Sequence, residues 1–265
     1  MEREVKVEER PILVLKTGEA LAPVKRLRGD FEDWIAVGLG RSVDSLSVAS
    51  VYRGDALPPV DSIAGVVVTG SPAMVTERPD WSEAAARWLA KLVEGDTMPV
   101  LGLCYGHQLL AHGLGGEVGA NPKGREMGTV DVTFSATPAA SAEPSIVPGG
   151  STKETADEVL GPLFESGAFP GHMSHVESVL RPPAGARILA QTSLDPHTVL
   201  AFGPRQWGVQ FHPEFDRDIM QGYVEARRDI LTGEGLDPDS MIAEAVETDS
   251  ITRVLSRFAE LVDRG

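Results

Sequence analysis

The stretch Met98-Pro99-Val100-Leu101-Gly102-Leu103-Cys104-Tyr105-Gly106-His107-Gln108 decides how this chain folds. Its apolar run, Met98 to Leu103, reads as a short buried strand that leads straight into the chain's one cysteine. Residues His107 to Leu114 follow as a helix stopped by Gly115-Gly116. Strand, sharp turn and helix are the plan of a nucleophile elbow. Glycines at 102 and 106 suit a backbone that must bend tightly around Cys104. A helix start places partial positive charge near the sulfur and favours thiolate over thiol. The amide of Tyr105 then points where an oxyanion would form.

Outward from this stretch, short apolar runs alternate with amphipathic ones, the pattern of an α/β domain. Ile12 to Leu15 reads as the first buried strand. Asp30 to Leu39 reads as a helix with Phe31, Trp34, Ile35 and Val37 on its apolar side. Ser45 to Tyr52 alternates like a strand, and Ile63 to Thr69 is a β-branched run fit for a strand covered on both faces. Pro79 suits a first helical position, opening a helix to about Val93. Met127 to Phe134 alternates again, and residues 136–158, rich in Ala, Pro, Ser and Gly, read as a long loop, a lid or partner surface. Short strands are expected at Phe169–Val176, Arg187–Gln191, Thr198–Phe202 and Trp207–Phe211. The tail from Asp216 reads as two or three helices with Ile251, Val254, Leu255, Phe258, Leu261 and Val262 as an apolar stripe. No internal repeat or linker interrupts the 265 residues. The expected architecture is one domain over residues 1–265: an open, mostly parallel α/β sheet flanked by helices (core about 10–215), with a helical C-terminal extension over 216–265.

The charge balance narrows the partners. With 39 acidic and 24 basic residues the net charge is −15, which repels phosphate backbones and anionic membranes, so neither nucleic acid nor membrane is expected. One cysteine forms no internal disulfide. The opening MEREVKVEERPILVL is acidic where a signal peptide is basic, and no apolar run approaches the roughly 18 residues of a membrane span. A cytoplasmic location is expected. No His-x-x-x-His or His-Glu-x-x-His spacing suggests zinc, so no metal or cofactor is expected.

A cysteine nucleophile needs a base and a group to orient it. Gln210-Phe211-His212-Pro213-Glu214 supplies both after an apolar strand. In extended chain, residues two apart face the same way, so Glu214 can accept from the imidazole of His212. Cys104 and His212 both follow strands, and open α/β sheets carry their sites at the carboxyl ends of strands.

Gly-x-Cys-x-Gly-x-Gln followed about a hundred residues later by His-Pro-Glu resembles the class I (triad) glutamine amidotransferases, over about Ile12 to Phe215. The resemblance implies a flavodoxin-like fold and a Cys104–His212–Glu214 triad. It also places an oxyanion loop at Thr69-Gly70-Ser71-Pro72, with the backbone of Ser71, beside Gly70, and that of Tyr105 as donors. Arg125-Glu126-Met127-Gly128 is similar to the Arg-Glu-Tyr-Gly segment of GMP synthase amidotransferase domains; a structural ion pair is the alternative reading. Met173-Ser174-His175-Val176-Glu177 resembles the family's Met-Ser-His-Gly-Asp stretch. Gln108, Ser174 and Glu177 are the implied contacts to the amino-acid end of the substrate. Val176 and Glu177 depart from the family's Gly and Asp, and no pyrophosphatase loop follows. Three functions fit: a stand-alone hydrolase of glutamine or another small γ-glutamyl amide or peptide, a glutaminase subunit passing ammonia to a separate synthase, or a catalytically silent binding module.

Overall fold

The computed structural model describes residues 10–140, 159–161 and 167–265. In chain order its strands are β1 (Ile12–Lys16), β2 (Ser47–Ser50), β3 (Gly65–Val68), β4 (Val100–Leu103), β5 (Glu117–Ala120), β6 (Glu126–Ala140), β7 (Ala168–His175), β8 (Glu177–Arg181), β9 (Arg187–Gln191), β10 (Val199–Ala201) and β11 (Gln206–Val209). The main helices are α1 (Ala22–Arg28), α2 (Phe31–Gly38), α3 (Asp80–Glu94), α4 (Tyr105–Gly113), α5 (Arg217–Ala226), α6 (Arg228–Gly233), α7 (Pro238–Glu244) and α8 (Asp249–Asp263).

Nine strands form one sheet in the order β2-β1-β3-β4-β11-β10-β9-β6-β7, while β5 and β8 make a separate antiparallel pair. The first five strands run parallel; the last four add an antiparallel wing. Strands covered on both faces need apolar side chains in both directions, which explains the unbroken runs at β1, β3 and β4. Along β1, Ile12 and Val14 enter the core on one face and Leu13 and Leu15 the core on the other. Helices α3 and α4 cover the second face through Ala85, Leu89, Leu109 and Leu110. Helices α2, α5 and α8 cover the first. Each such Leu, Ile or Phe contributes about 1.5–3 kcal/mol by leaving water.

The C-terminal stripe packs as its spacing predicts. Ile251, Val254, Leu255, Phe258 and Val262 are buried in the same core as Ile12 and Leu101. Two glycines admit α8 closely: a Cβ on Gly38 would lie 2.3 Å from Leu255 Cδ1, and one on Gly65 2.7 Å from Val262 Cγ2. Among the described residues, no helix is long and apolar enough to cross a membrane.

Several expectations need correction. The strand expected over Ser45–Tyr52 holds only from Ser47 to Ser50, after which Val51–Arg53 tightens into a 3₁₀ turn. Val37 lies 79% exposed, on the outer side of α2. Pro79 caps α3 from outside rather than opening it. The loop expected from residue 136 begins later, because β6 runs on to Ala140 against β7 and β9; residues 141–158, and so most of the expected lid, lie outside the described residues. The tail holds four helices, since Arg227 breaks the first pair and Asp237-Pro238 starts another. β5, β8 and α1 carry no apolar periodicity strong enough to announce them.

Candidate active site

The carboxyl ends of β1, β3, β4 and β11 meet where the strand order reverses between β1 and β3, the usual place for a site in an open α/β sheet. Cys104 sits at the end of β4 with φ 49° and ψ −100°. A non-glycine residue at positive φ costs about 1–3 kcal/mol, so its surroundings must hold it. They do so from both sides. Its N–H donates to Val209 O of β11 at 2.9 Å, and its C=O accepts the first helical bond, from Gln108 N at 3.1 Å. The flanking glycines are obligatory here: a Cβ on Gly102 would lie 2.5 Å from Gly106 O, and one on Gly106 2.6 Å from Val68 O. Tyr105, the first residue of α4, has no intrahelical acceptor for its amide. Its ring is fixed by Trp81 and by a 2.6 Å hydrogen bond to Ser82 Oγ.

β11 is the parallel neighbour of β4, with Val209 opposite Leu103, so the two strands deliver Cys104 and His212 to one edge. The thiol of Cys104 and the ring of His212 are hydrogen-bonded. His212 Nδ1 is 2.8 Å from Glu214 Oε1, which leaves Nε2 for the sulfur. The geometry behind this contact is a turn rather than extended chain, closed by Phe215 N donating to His212 O at 3.3 Å. Phe215 stacks on the imidazole at 4.1 Å, and Phe31 lies parallel to it at 6.5 Å. Burial alone would lower the His212 pKa, but the Glu214 carboxylate and the Cys104 sulfur overcome it and hold the ring protonated well above the usual imidazole range. Burial likewise opposes ionisation of Cys104, yet the charge and hydrogen bond of His212 bring its pKa below that of an ordinary thiol. The pair is a thiolate beside an imidazolium.

The segment after β3 faces this pair. A Cβ on Gly70 would lie 3.0 Å from His212 Cε1, so only glycine lets the loop approach the ring this closely. Thr17, just past β1, clasps the loop. Its Oγ1 donates to the carbonyl of Thr69 or Gly70, 3.0 Å from each, and its N–H to Thr69 Oγ1 at 3.0 Å. Ser71 Oγ answers with a 2.8 Å bond to Thr17 O. In a trans peptide the C=O and the next N–H point opposite ways. Fixing Gly70 O toward Thr17 therefore turns the Ser71 N–H away from it, and Ser71 shares the cavity with Cys104. The Thr17 segment is itself anchored. Buried Lys16 pairs with Asp30 at 2.7 Å, and the other carboxylate oxygen of Asp30 accepts from Ala20 N at 2.8 Å.

Residues 45–223 match the family Glutamine amidotransferase class-I. The chain belongs to the class I glutamine amidotransferase family. It is 34% identical over 205 residues to a GMP synthase [glutamine-hydrolyzing] of Aeropyrum pernix, covering 74% of this chain and 32% of that protein. It therefore spans about a third of that relative's length. It is 32% identical to a separately encoded GMP synthase [glutamine-hydrolyzing] subunit of Ignicoccus hospitalis, over 70% of this chain and 88% of that one. A crystal structure of a glutamine amidotransferase from Thermotoga maritima shares the fold with TM-score 0.68 and 18% identity, across 96% of this chain and 99% of that one.

In this amidotransferase the residues expected to meet the amino-acid end of a substrate are already engaged. Gln108 Nε2 donates to Glu177 O at 2.7 Å and to Gln210 Oε1 at 3.0 Å. The Glu177 carboxylate accepts from Val75 N at 2.9 Å and Thr76 N at 3.4 Å, and also holds the Thr76 hydroxyl. It clasps the turn beyond the Ser71 loop. Ser174 Oγ accepts from Arg227 Nη1 at 3.1 Å. The Arg125-Glu126 motif forms two ion pairs: Arg125 with Glu234 through two bonds, and Glu126 with buried His175 at 3.0 Å. Sequence reading missed Thr17, Leu21, Phe31, Tyr223 and Arg227 as site residues. None lies in a motif, and Arg227 hides in the charged run Glu225-Ala226-Arg227-Arg228-Asp229.

Proposed function

We propose that the chain hydrolyses the γ-glutamyl amide bond of glutamine or of a related γ-glutamyl amide or peptide, through a thioester on Cys104. The observation that carries this reading is the hydrogen-bonded Cys104–His212–Glu214 array across the neighbouring ends of β4 and β11. The sulfur attacks the amide carbon. The oxyanion is received by the N–H groups of Ser71 and Tyr105, beside Gly70, which need no reorganisation when the charge develops. His212 gives its proton to the departing nitrogen, the C–N bond breaks, and Glu214 keeps the ring oriented. Water then enters, loses a proton to His212 and splits the thioester into glutamate and free thiolate. Gln108, Ser174 and the main chain around Glu177 line the acyl end. No step calls for a metal or cofactor.

A second reading is a glutaminase subunit that passes ammonia to a separate synthase. Its support is the 88% coverage of the Ignicoccus protein, which the chain matches over 70% of its own length.

The test is glutamate release from glutamine and γ-glutamyl amides by the purified protein. The isolated protein is expected to be active and Cys104→Ala to lose about 10⁴-fold or more, while a γ-glutamyl electrophile labels Cys104 only in the wild type. Wild-type turnover by Cys104→Ala would refute the proposal. Activity that appears only with an added synthase would favour the second reading.

A further inference from the structure

Arg227, at the junction of α5 and α6, lines the cavity on both sides of Cys104. Its neighbours are satisfied: Arg228 pairs with Glu225 and Asp239, and Arg125 with Glu234. Among the described residues no carboxylate lies within ion-pair distance of Arg227, in a chain that carries 39 acidic side chains. One of its five N–H groups donates to Ser174 Oγ at 3.1 Å, and its guanidinium lies 5.4 Å from the ring centre of Tyr223. A half-buried guanidinium, stacked and bonded at one edge, is pre-shaped to take a carboxylate through its remaining donors.

The cavity has two parts. Gln108, His175 and Glu177 border only one; Leu21, Phe31, His212 and Tyr223 border only the other. His212 protonates the departing nitrogen, so the released amine lies on its side, and Tyr223, the ring that holds Arg227, belongs to that side. Glu19 also borders it, but Lys25, Arg53 and the Tyr52 hydroxyl already engage its carboxylate. An ammonium ion leaving here would face an unpaired cation. An amino acid would bring its own counter-charge.

We propose that Arg227 selects γ-glutamyl amides whose released amine carries a carboxylate, that is, γ-glutamyl amino acids. This rests on the hydrolase reading above. The γ-glutamyl carbon transfers from nitrogen to sulfur, His212 supplies the proton that frees the amino acid, and water completes the hydrolysis to glutamate.

γ-Glutamylalanine and γ-glutamylethylamide differ only by the carboxylate on the amine, so their kcat/KM ratio reads the contact directly. A hydrogen-bonded charge pair predicts a ratio of about 10 to 100 in favour of the dipeptide. Arg227→Gln should bring the ratio close to one, and Arg227→Lys, which keeps the charge but loses the fork, should retain part of it. Equal turnover of the two substrates by the wild type would overturn the inference and leave the hydrolase reading standing. So would a ratio that Arg227→Gln preserves while both rates fall together, since that marks a contact with the glutamyl α-carboxylate or a structural role. Turnover of neither substrate would remove both readings.

Discussion

The catalytic edge and the recognition side of the cavity are built in opposite ways. At the edge, each reacting group stands one to three residues past a strand, and main-chain bonds from the neighbouring strands fix where it points. On the recognition side, Gln108, Ser174 and Glu177 lie on α4, β7 and β8, and their side chains bond mostly to protein. Chemistry common to a family is placed by the sheet, whereas selectivity depends on which side chains remain unengaged.

The largest effect that would sharpen this contrast is at the edge. Glu214→Gln keeps the shape but removes the charge that holds His212 protonated, and should lower kcat by about 10⁴-fold. The wild type should work between an acid limb, where the low-pKa Cys104 thiolate takes up a proton, and an alkaline limb, where His212 loses its own. Because Glu214 raises the His212 pKa, its removal should move the alkaline limb to lower pH, and a pH–rate profile checks the sign. An unmoved alkaline limb would detach Glu214 from His212.

A smaller effect is expected at Thr17, which touches no reacting atom. Thr17→Val frees the Gly70 carbonyl, so the Ser71 N–H loses its fixed direction. A fall in kcat of about 10²-fold, comparable to weakening an oxyanion donor, should come with little change in KM. A rise in KM at constant kcat would show instead that the loop serves binding.

The smallest catalytic effect is expected at Glu177. Glu177→Ala leaves the Val75 and Thr76 amides unpaired and should cost about 1–3 kcal/mol of stability, measured by denaturant unfolding. Its KM should change less than about three-fold. A KM raised ten-fold or more at unchanged stability would make Glu177 a direct substrate ligand and erase the contrast.

How much the sequence disclosed follows the same division. The elbow was legible because a strand, two glycines and a cysteine leave few conformations open, and the Gly102 and Gly106 contacts give the steric reason. His212 and Glu214 were legible as neighbours, though through a turn and not through extended chain. The parallel strands announced themselves by unbroken apolar runs, while β5 and β8, half-exposed and short, did not. Thr17 and Arg227 were invisible, because a single threonine or arginine gains its meaning from partners more than fifty residues away: Thr69 for one, Ser174 for the other.

One consequence follows from the place of β11. It is among the last strands in the chain, yet it fills the middle of the sheet, between β4 and β10. As the polypeptide emerges from the ribosome, Cys104 is made long before the strand that brings its base. The thiol lacks its acid–base partner through that interval, and reactivity arrives only when the sheet's central gap is filled.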